Sequence, residues 1–315
     1  MIYRMAWLRD LTARGRLRVR GEDRVRFLHS MTTNDIEGLA VGAGCRAAML
    51  TVKGKTLGDL VIYRYADHVW LEMEPELRHK LFQVLDKHVV MDDVEIDDLT
   101  DATGELGVYG EDAATVLATA LGEAVDENLP PWSHIRYQDL EVARAPDLAM
   151  PGFHVFGSRE RIQSLAVTLV ADKLDEAAWE VLRIEAGRPR YGLDVDEDRL
   201  ILEAHLDDAI HLDKGCYLGQ EVVARATTRG HINRQLVGLF LDGDGGVAAK
   251  SRLSGPGRDE AGLVTSSGTS PRLGAIALGY VHRTLWEPGT VLEVHAEGGS
   301  RRATVTTLPF PSARP

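Results

Sequence analysis

Two spacings of apolar residues organise most of this chain. Leu17-Arg18-Val19-Arg20 alternates apolar and polar positions and stops at Gly21, which predicts a short strand. Val25, Leu28 and Met31 then recur at helical spacing over Glu22 to Met31. Leu57–Arg64 and Val69–Met73 read as strands joined by Tyr65-Ala66-Asp67-His68, a hairpin. Pro75 opens a helix, and Leu77, Leu81, Val84, Leu85 and His88 keep its period over Leu77 to Val89. Strand-then-helix units follow at Leu106–Tyr109 with Glu111–Leu121, and at Phe153–Phe156 with Arg159–Val170, the latter capped by Ser158. Asp175 is placed to cap a helix over Glu176 to Ala186, with Gly187 at the stop position and Pro189 beyond it. Strands and helices do not alternate regularly enough for a parallel doubly wound sheet, so the fold class is α+β.

The last 80 or so residues lose helical periodicity. Leu236–Leu241, Ala261–Thr265, Ala275–Val281, Val291–His295 and Ala303–Thr307 are short strand candidates between Gly-rich turns. That pattern predicts a small antiparallel barrel or sandwich, with the boundary between Gly230 and Gln235. The expected division is 1–232 and 233–315.

Composition narrows the function classes. The 315 residues carry 36 Lys plus Arg against 48 Asp plus Glu, a net charge of −12. Such a chain is a poor general ligand for nucleic acid or anionic membranes. No apolar run reaches the roughly 18 residues of a membrane span. The two cysteines, Cys45 and Cys216, are far apart, no metal-ligand spacing is present, and a cytoplasmic setting without a bound metal is expected. The charge is uneven. Asp92 to Asp101 holds six acids and no Lys or Arg, and Asp194 to Asp208 holds seven acids against Arg199. Both runs read as solvated faces or partner-docking surfaces.

Candidate chemistry concentrates near Cys216. The cysteine lies between Gly215 and Gly219, next but one to Lys214, and just before a helix expected over Gln220 to Arg229. A nearby cation and a helix N-terminus favour a thiolate, although the same spacing suits a buried cysteine in a tight turn. Arg225 and Arg229 share a helical face able to hold an anion, or simply a solvated one. Glu185 falls beside the apolar stripe of its helix and needs a donor: Arg183, Arg188, or the paired N–H groups of an amino-pyrimidine ring.

Lys214-Gly215-Cys216-Tyr217-Leu218-Gly219-Gln220-Glu221 resembles the signature K-G-C-[FY]-x-G-Q-E of the YgfZ family of folate-binding proteins. Gly21 to Asp35, Leu182 to Gly192 and Val264 to Val281 also resemble segments shared with the aminomethyltransferases, the T-proteins of glycine cleavage. The resemblance implies a three-lobed ring of two folate-binding lobes, the second roughly 46–135, and a barrel. It implies tetrahydrofolate as cofactor, Glu185 on the pterin, and Cys216 with Lys214 as the functional thiol pair. Asp59, Tyr217, Gln220, Arg225 and Arg229 are the further ligand-binding candidates. T-proteins carry an Asp-Asp pair where this chain has Gly58-Asp59, the first acid being catalytic. That departure points to the YgfZ branch, which implies an accessory factor for iron–sulfur proteins such as tRNA-thiolating radical enzymes. An aminomethyltransferase is the alternative.

Overall fold

The computed structural model describes residues 6–228, 230–296 and 299–314. The first lobe is a five-stranded antiparallel sheet in the order Gly44–Leu50, Thr56–Arg64, Val69–Met73, Gly15–Arg20, Glu95–Asp98. The expected hairpin is its centre, with Arg64 opposite Val69. Alternation sends Leu17, Val19, Ile62, Leu71 and Met73 to one face, where helices Arg24–Met31 and Arg78–His88 close a core with Leu28, Leu81 and Leu85.

The second lobe is a six-stranded sheet ordered Asp172–Lys173, Trp7–Asp10, Thr103–Tyr109, Gly152–Ser158, Leu140–Arg144, His134–Tyr137. Leu106, Val108, Phe153 and Val155 face helices Ala113–Leu121 and Arg159–Thr168. Ser158 caps the second helix by accepting from the Arg161 N–H at 3.2 Å. The lobes therefore divide near residues 11–15 and 98–103, not at 46 and 135. The amino-terminal strand crosses into the second sheet, a pairing that local periodicity does not encode.

Each sheet has a second face, and these faces turn toward each other. From the first lobe come Arg16, Asp59, Val61, Tyr63 and Glu72, and from the second Glu105, Tyr109, His154 and Phe156. Part of the seam is apolar: Val61, Tyr63, Trp132, Ala143 and Phe156 pack together. The rest is charged and buried. Arg16 is 0 % exposed and its guanidinium is fully used. Its Nε donates to Thr103 Oγ1 at 2.8 Å, Nη1 to Glu105 Oε2 at 3.2 Å and Leu11 O at 3.4 Å, and Nη2 to the carbonyls of Thr12, Thr100 and Thr103.

Helix Glu176–Glu185, capped by Asp175 as expected, leads through a coil to helix Gln220–Thr228 and then to the barrel. The barrel closes from six antiparallel strands in the order Arg234–Leu241, Gly274–His282, Arg258–Ser270, Arg252–Gly255, Val291–Ala296, Gly299–Thr306. The strand Arg252–Gly255 is the one its short polar sequence hid. The barrel docks through Ile184, which packs with Leu236, Phe240, Ile276 and Phe310.

Most acids of both runs face solvent, as expected, with Asp194 and Glu203 buried, and several of them pair with arginines. Asp97 meets Arg18 and Arg20, and Asp98 and Asp101 meet Arg78. Asp194 is buried on Arg183, Glu203 meets Arg234, and Asp208 meets Arg188. Arginines distant in sequence supply the neutralising charge, so a run count could not show it.

Replacing Arg16 by Met strands Glu105 in the seam with one cation fewer. The expected loss is about 3–5 kcal/mol of unfolding free energy, the range for breaking a buried ion pair from one side. Urea unfolding of the two proteins checks it.

Candidate functional site

Between the two sheets lies a narrow cavity of about 80 Å³, or about 650 Å³ with the open space around its mouth. Its walls come from three places. Strands Gly44–Leu50, Thr56–Arg64 and Val69–Met73 supply Arg46, Asp59 and Glu72, the second sheet supplies His154, and the coil after helix Glu176–Glu185 supplies Arg188 and Arg190.

Asp59 is held on the wall by Arg46, whose Nη2 donates to its Oδ2 at 2.6 Å. Burial opposes the Arg46 charge, but Asp59 and Asp208 outweigh it and raise its pKa, so the guanidinium stays charged. The neighbouring position explains the missing acid. A Cβ added at Gly58 would lie 2.7 Å from Leu77 Cδ2, inside the core of the first lobe. Of positions 58 and 59, only 59 can present a carboxylate to the cavity on this backbone.

Deeper in the seam sits a cluster of Arg14, Glu72, Glu105, Asp147 and His154. Arg14 Nε pairs with Glu72 Oε1. His154 Nε2 meets Asp147 Oδ2 at 2.7 Å and the Tyr109 hydroxyl at 2.9 Å. Burial works against a charged His154, yet Asp147 and its other neighbours lift its pKa well above the ordinary imidazole value. Burial likewise disfavours an ionised Asp147, and His154 and Arg14 overcome it and hold the carboxyl well below the usual range. For Glu105, burial followed by the nearby Glu72 charge pushes the carboxyl up.

Among the expected site residues, Asp59 is the one that lines this cavity. Glu185 does not. Its Oε2 accepts from Arg272 Nη2 of the barrel at 2.6 Å, and its carbonyl accepts from the Phe310 N–H. The donor it meets is an arginine 87 positions away, neither Arg183 nor Arg188. Arg183 turns instead to Glu180 and Asp194.

Lys214 is also used otherwise than as a neighbour for the thiol. Its Nζ donates to the carbonyls of His29 at 2.5 Å, Thr32 at 2.7 Å and Asn34 at 2.7 Å, capping the C-terminus of helix Arg24–Met31. The same Nζ lies 5.1 Å from the centre of the Tyr217 ring. Tyr217 is half-buried against the Leu50 and Val195 cluster, and its N–H donates to Gln220 Oε1 at 3.1 Å where helix Gln220–Thr228 begins. Gly219 has φ +83°, and a Cβ there would come within 2.5 Å of Thr51 O. These contacts fix a loop on the outer side of the first lobe, with Cys216 exposed on it and away from the cavity walls. Arg225 is exposed and pairs with Glu221 at 2.5 Å, and Arg229 lies outside the described residues.

The cavity residues that sequence reading missed are Arg14, Arg46, Glu72, Asp147 and His154. A weak signal existed: Glu72 between Leu71 and Met73, and His154 between Phe153 and Val155, are single charges in apolar strands. Alternation gives the face such residues occupy but not whether water or another sheet covers it.

Two mixed α/β lobes around a charged cavity, followed by a closed barrel, are the architecture of the glycine-cleavage T-proteins. Residues 2–214 match the model of the GCVT N-terminal domain, and residues 234–311 match that of the glycine cleavage T-protein C-terminal barrel domain. The chain belongs to this family. It is 32 % identical over 284 residues to an aminomethyltransferase of Rubrobacter xylanophilus, a match covering 88 % of this chain and 76 % of that one. It is 28 % identical over 308 residues to a chloroplastic protein of Arabidopsis thaliana described only as a transferase, covering 96 % and 70 %. The crystal structure of glycine cleavage system aminomethyltransferase T from Bartonella henselae superposes with a TM-score of 0.90 at 25 % identity, over 98 % of this chain and 87 % of that one. Among the described residues no helix is long and apolar enough to cross a membrane.

The two thiols differ sharply in accessibility. Burial pushes the Cys45 thiol up to about 12, whereas Cys216 is exposed. At pH 8, thiolate at Cys45 is then about one part in ten thousand. A disulfide reagent at pH 8 is expected to label one thiol per folded chain, with that reaction absent in Cys216→Ala. Labelling of Cys45 at a comparable rate contradicts this assignment.

Proposed function

We propose that the cavity between the sheets binds a reduced folate and supports one-carbon transfer of the aminomethyltransferase kind. The observation that carries the reading is the position of Asp59. In the sequence, the missing acid at position 58 argues against transfer. Because position 58 points into the core, that loss removes nothing from the cavity, and Asp59 remains on the wall beside Arg46. A folate offers an amino-pyrimidine edge with N–H donors and a tail of carboxylates. The cavity sets carboxylates and the arginines Arg14, Arg188 and Arg190 around one space. Transfer of the methylene from an S-aminomethyl donor to tetrahydrofolate breaks its C–N and C–S bonds, releasing ammonia and the carrier's free thiol and leaving methylene-tetrahydrofolate. A fixed carboxylate stabilises the cationic carbon that forms on the way, and such groups contribute about 10²–10⁴-fold.

A second reading rests on a different observation. Cys216 is exposed on a loop held by Lys214 and by the close approach at Gly219, and aminomethyl transfer makes no use of it. An accessory role toward iron–sulfur proteins, as in the YgfZ family, does use it: a lone exposed thiol cannot hold a cluster but can contribute to one shared with a partner.

Calorimetric titration with tetrahydrofolate tests the binding site. Asp59→Asn is expected to weaken binding at least tenfold, while Glu185→Gln leaves it within twofold. The reverse pattern restores the pterin role to Glu185 and refutes the cavity assignment. Incubation with an aminomethylated lipoyl carrier and tetrahydrofolate then separates the two readings. Ammonia release that survives Cys216→Ala supports transfer. Its absence, together with loss of cluster-dependent tRNA thiolation in cells carrying Cys216→Ala, supports the accessory role.

A further inference from the structure

Glu72, Glu105 and His154 come from three strands and two lobes, and they converge inside the seam. Glu72 and Glu105 are 0 % exposed and His154 is 2 % exposed. Glu105 Oε1 lies 3.1 Å from His154 Nδ1, and Glu72 Oε2 lies 3.8 Å from the same nitrogen. Apart from these mutual contacts, no further hydrogen-bond partner reaches the three atoms. Buried oxygens and nitrogens are rarely left in that state, because each costs its full desolvation penalty.

The outer partners leave these atoms available. Arg14 takes Glu72 through Oε1, and Arg16 takes Glu105 through Oε2, so each glutamate keeps its other oxygen facing inward. Asp147 meets the far ring nitrogen of His154 at 2.7 Å. A carboxylate on one imidazole nitrogen orients the ring and makes the other a better ligand, as in carboxylate–histidine–metal arrangements. A metal ion would take the place of the imidazole proton: Glu72, Glu74, Glu105 and Asp147 then stand against Arg14, Arg16 and Arg190, −4 + 3 = −1.

We propose that Glu72 Oε2, Glu105 Oε1 and His154 Nδ1 form a binding site for one first-row divalent transition-metal ion. The three atoms lie within 4.8 Å of one another. Ligands at metal bonds of about 2.0–2.2 Å stand roughly 3–3.5 Å apart, so modest closure completes the site. An imidazole with two carboxylates suits Mn²⁺, Fe²⁺ or Zn²⁺ and discriminates against Ca²⁺ and Mg²⁺, which take oxygen ligands. Three protein ligands leave further coordination positions, and Glu72 and His154 also line the cavity. The inference does not depend on the folate reading.

The test uses the full chain, stripped with a chelator and titrated with Co²⁺ as an optical probe, then with Zn²⁺ and Mn²⁺ by calorimetry. One equivalent of Co²⁺ with visible ligand-field absorption is expected. Glu105→Gln and His154→Gln are each expected to lower affinity at least 100-fold, and Cys216→Ala to leave it unchanged. Circular dichroism identifies variants that fail to fold. If both fail, pulsed electron paramagnetic resonance of the wild-type Mn²⁺ complex decides through imidazole nitrogen coupling. Binding below one tenth of an equivalent, binding unaltered in folded Glu105→Gln or His154→Gln, loss in Cys216→Ala, or a Mn²⁺ complex without nitrogen coupling overturns the proposal.

Discussion

The molecule depends on charge matching between two sheets that meet through their polar faces. Sheets normally bury their apolar side and leave the other to water. Here helices cover the apolar sides, and the second sides close on each other. Every charge in that seam must find a partner that is also out of water, or cost several kcal/mol. Arg16 meets the requirement with a guanidinium whose donors all find acceptors, spanning from a strand of one lobe to Thr100, Thr103 and Glu105 of the other. A lysine has three donors and no planar fork, and could not replace it.

A second junction of the same kind ties the barrel to the lobes. Asp194 accepts from Arg183 at 2.7 Å, from the Ser266 hydroxyl at 2.7 Å and from the Thr265 hydroxyl, while Arg272 reaches back to Glu185. The hydroxyls come from the barrel strand Arg258–Ser270, where its register shifts between Val264 and Ser266. Helix Glu176–Glu185 therefore has a carboxylate beside its apolar stripe for a structural reason. The residues that resemble family segments at 182–187 and 264–266 are the two sides of this joint.

Local elements were legible in the sequence, and long-range charge partners were not. The hairpin 57–73 and the caps at Ser158 and Asp175 follow from spacing and cap chemistry that act within a few residues. The barrel strand Arg252–Gly255 escaped because four mixed residues carry no period. Glu185 was read correctly as a carboxylate needing a donor, but the donor is 87 residues away. The same limit hid His154, Glu72 and Glu105, which come together only when two lobes fold. Lys214 misled in the opposite direction: its proximity to Cys216 in sequence suggested partnership, while its ammonium reaches three carbonyls of another segment.

Lys214 grips main-chain oxygens, and this has an evolutionary consequence. Carbonyls are present whatever side chains occupy positions 29, 32 and 34, so the anchor survives sequence drift at its own docking ground. Only the lysine and the turn that ends the helix must persist. The loop bearing Cys216 is thus tied to the first lobe through main-chain oxygens that no substitution at those positions removes.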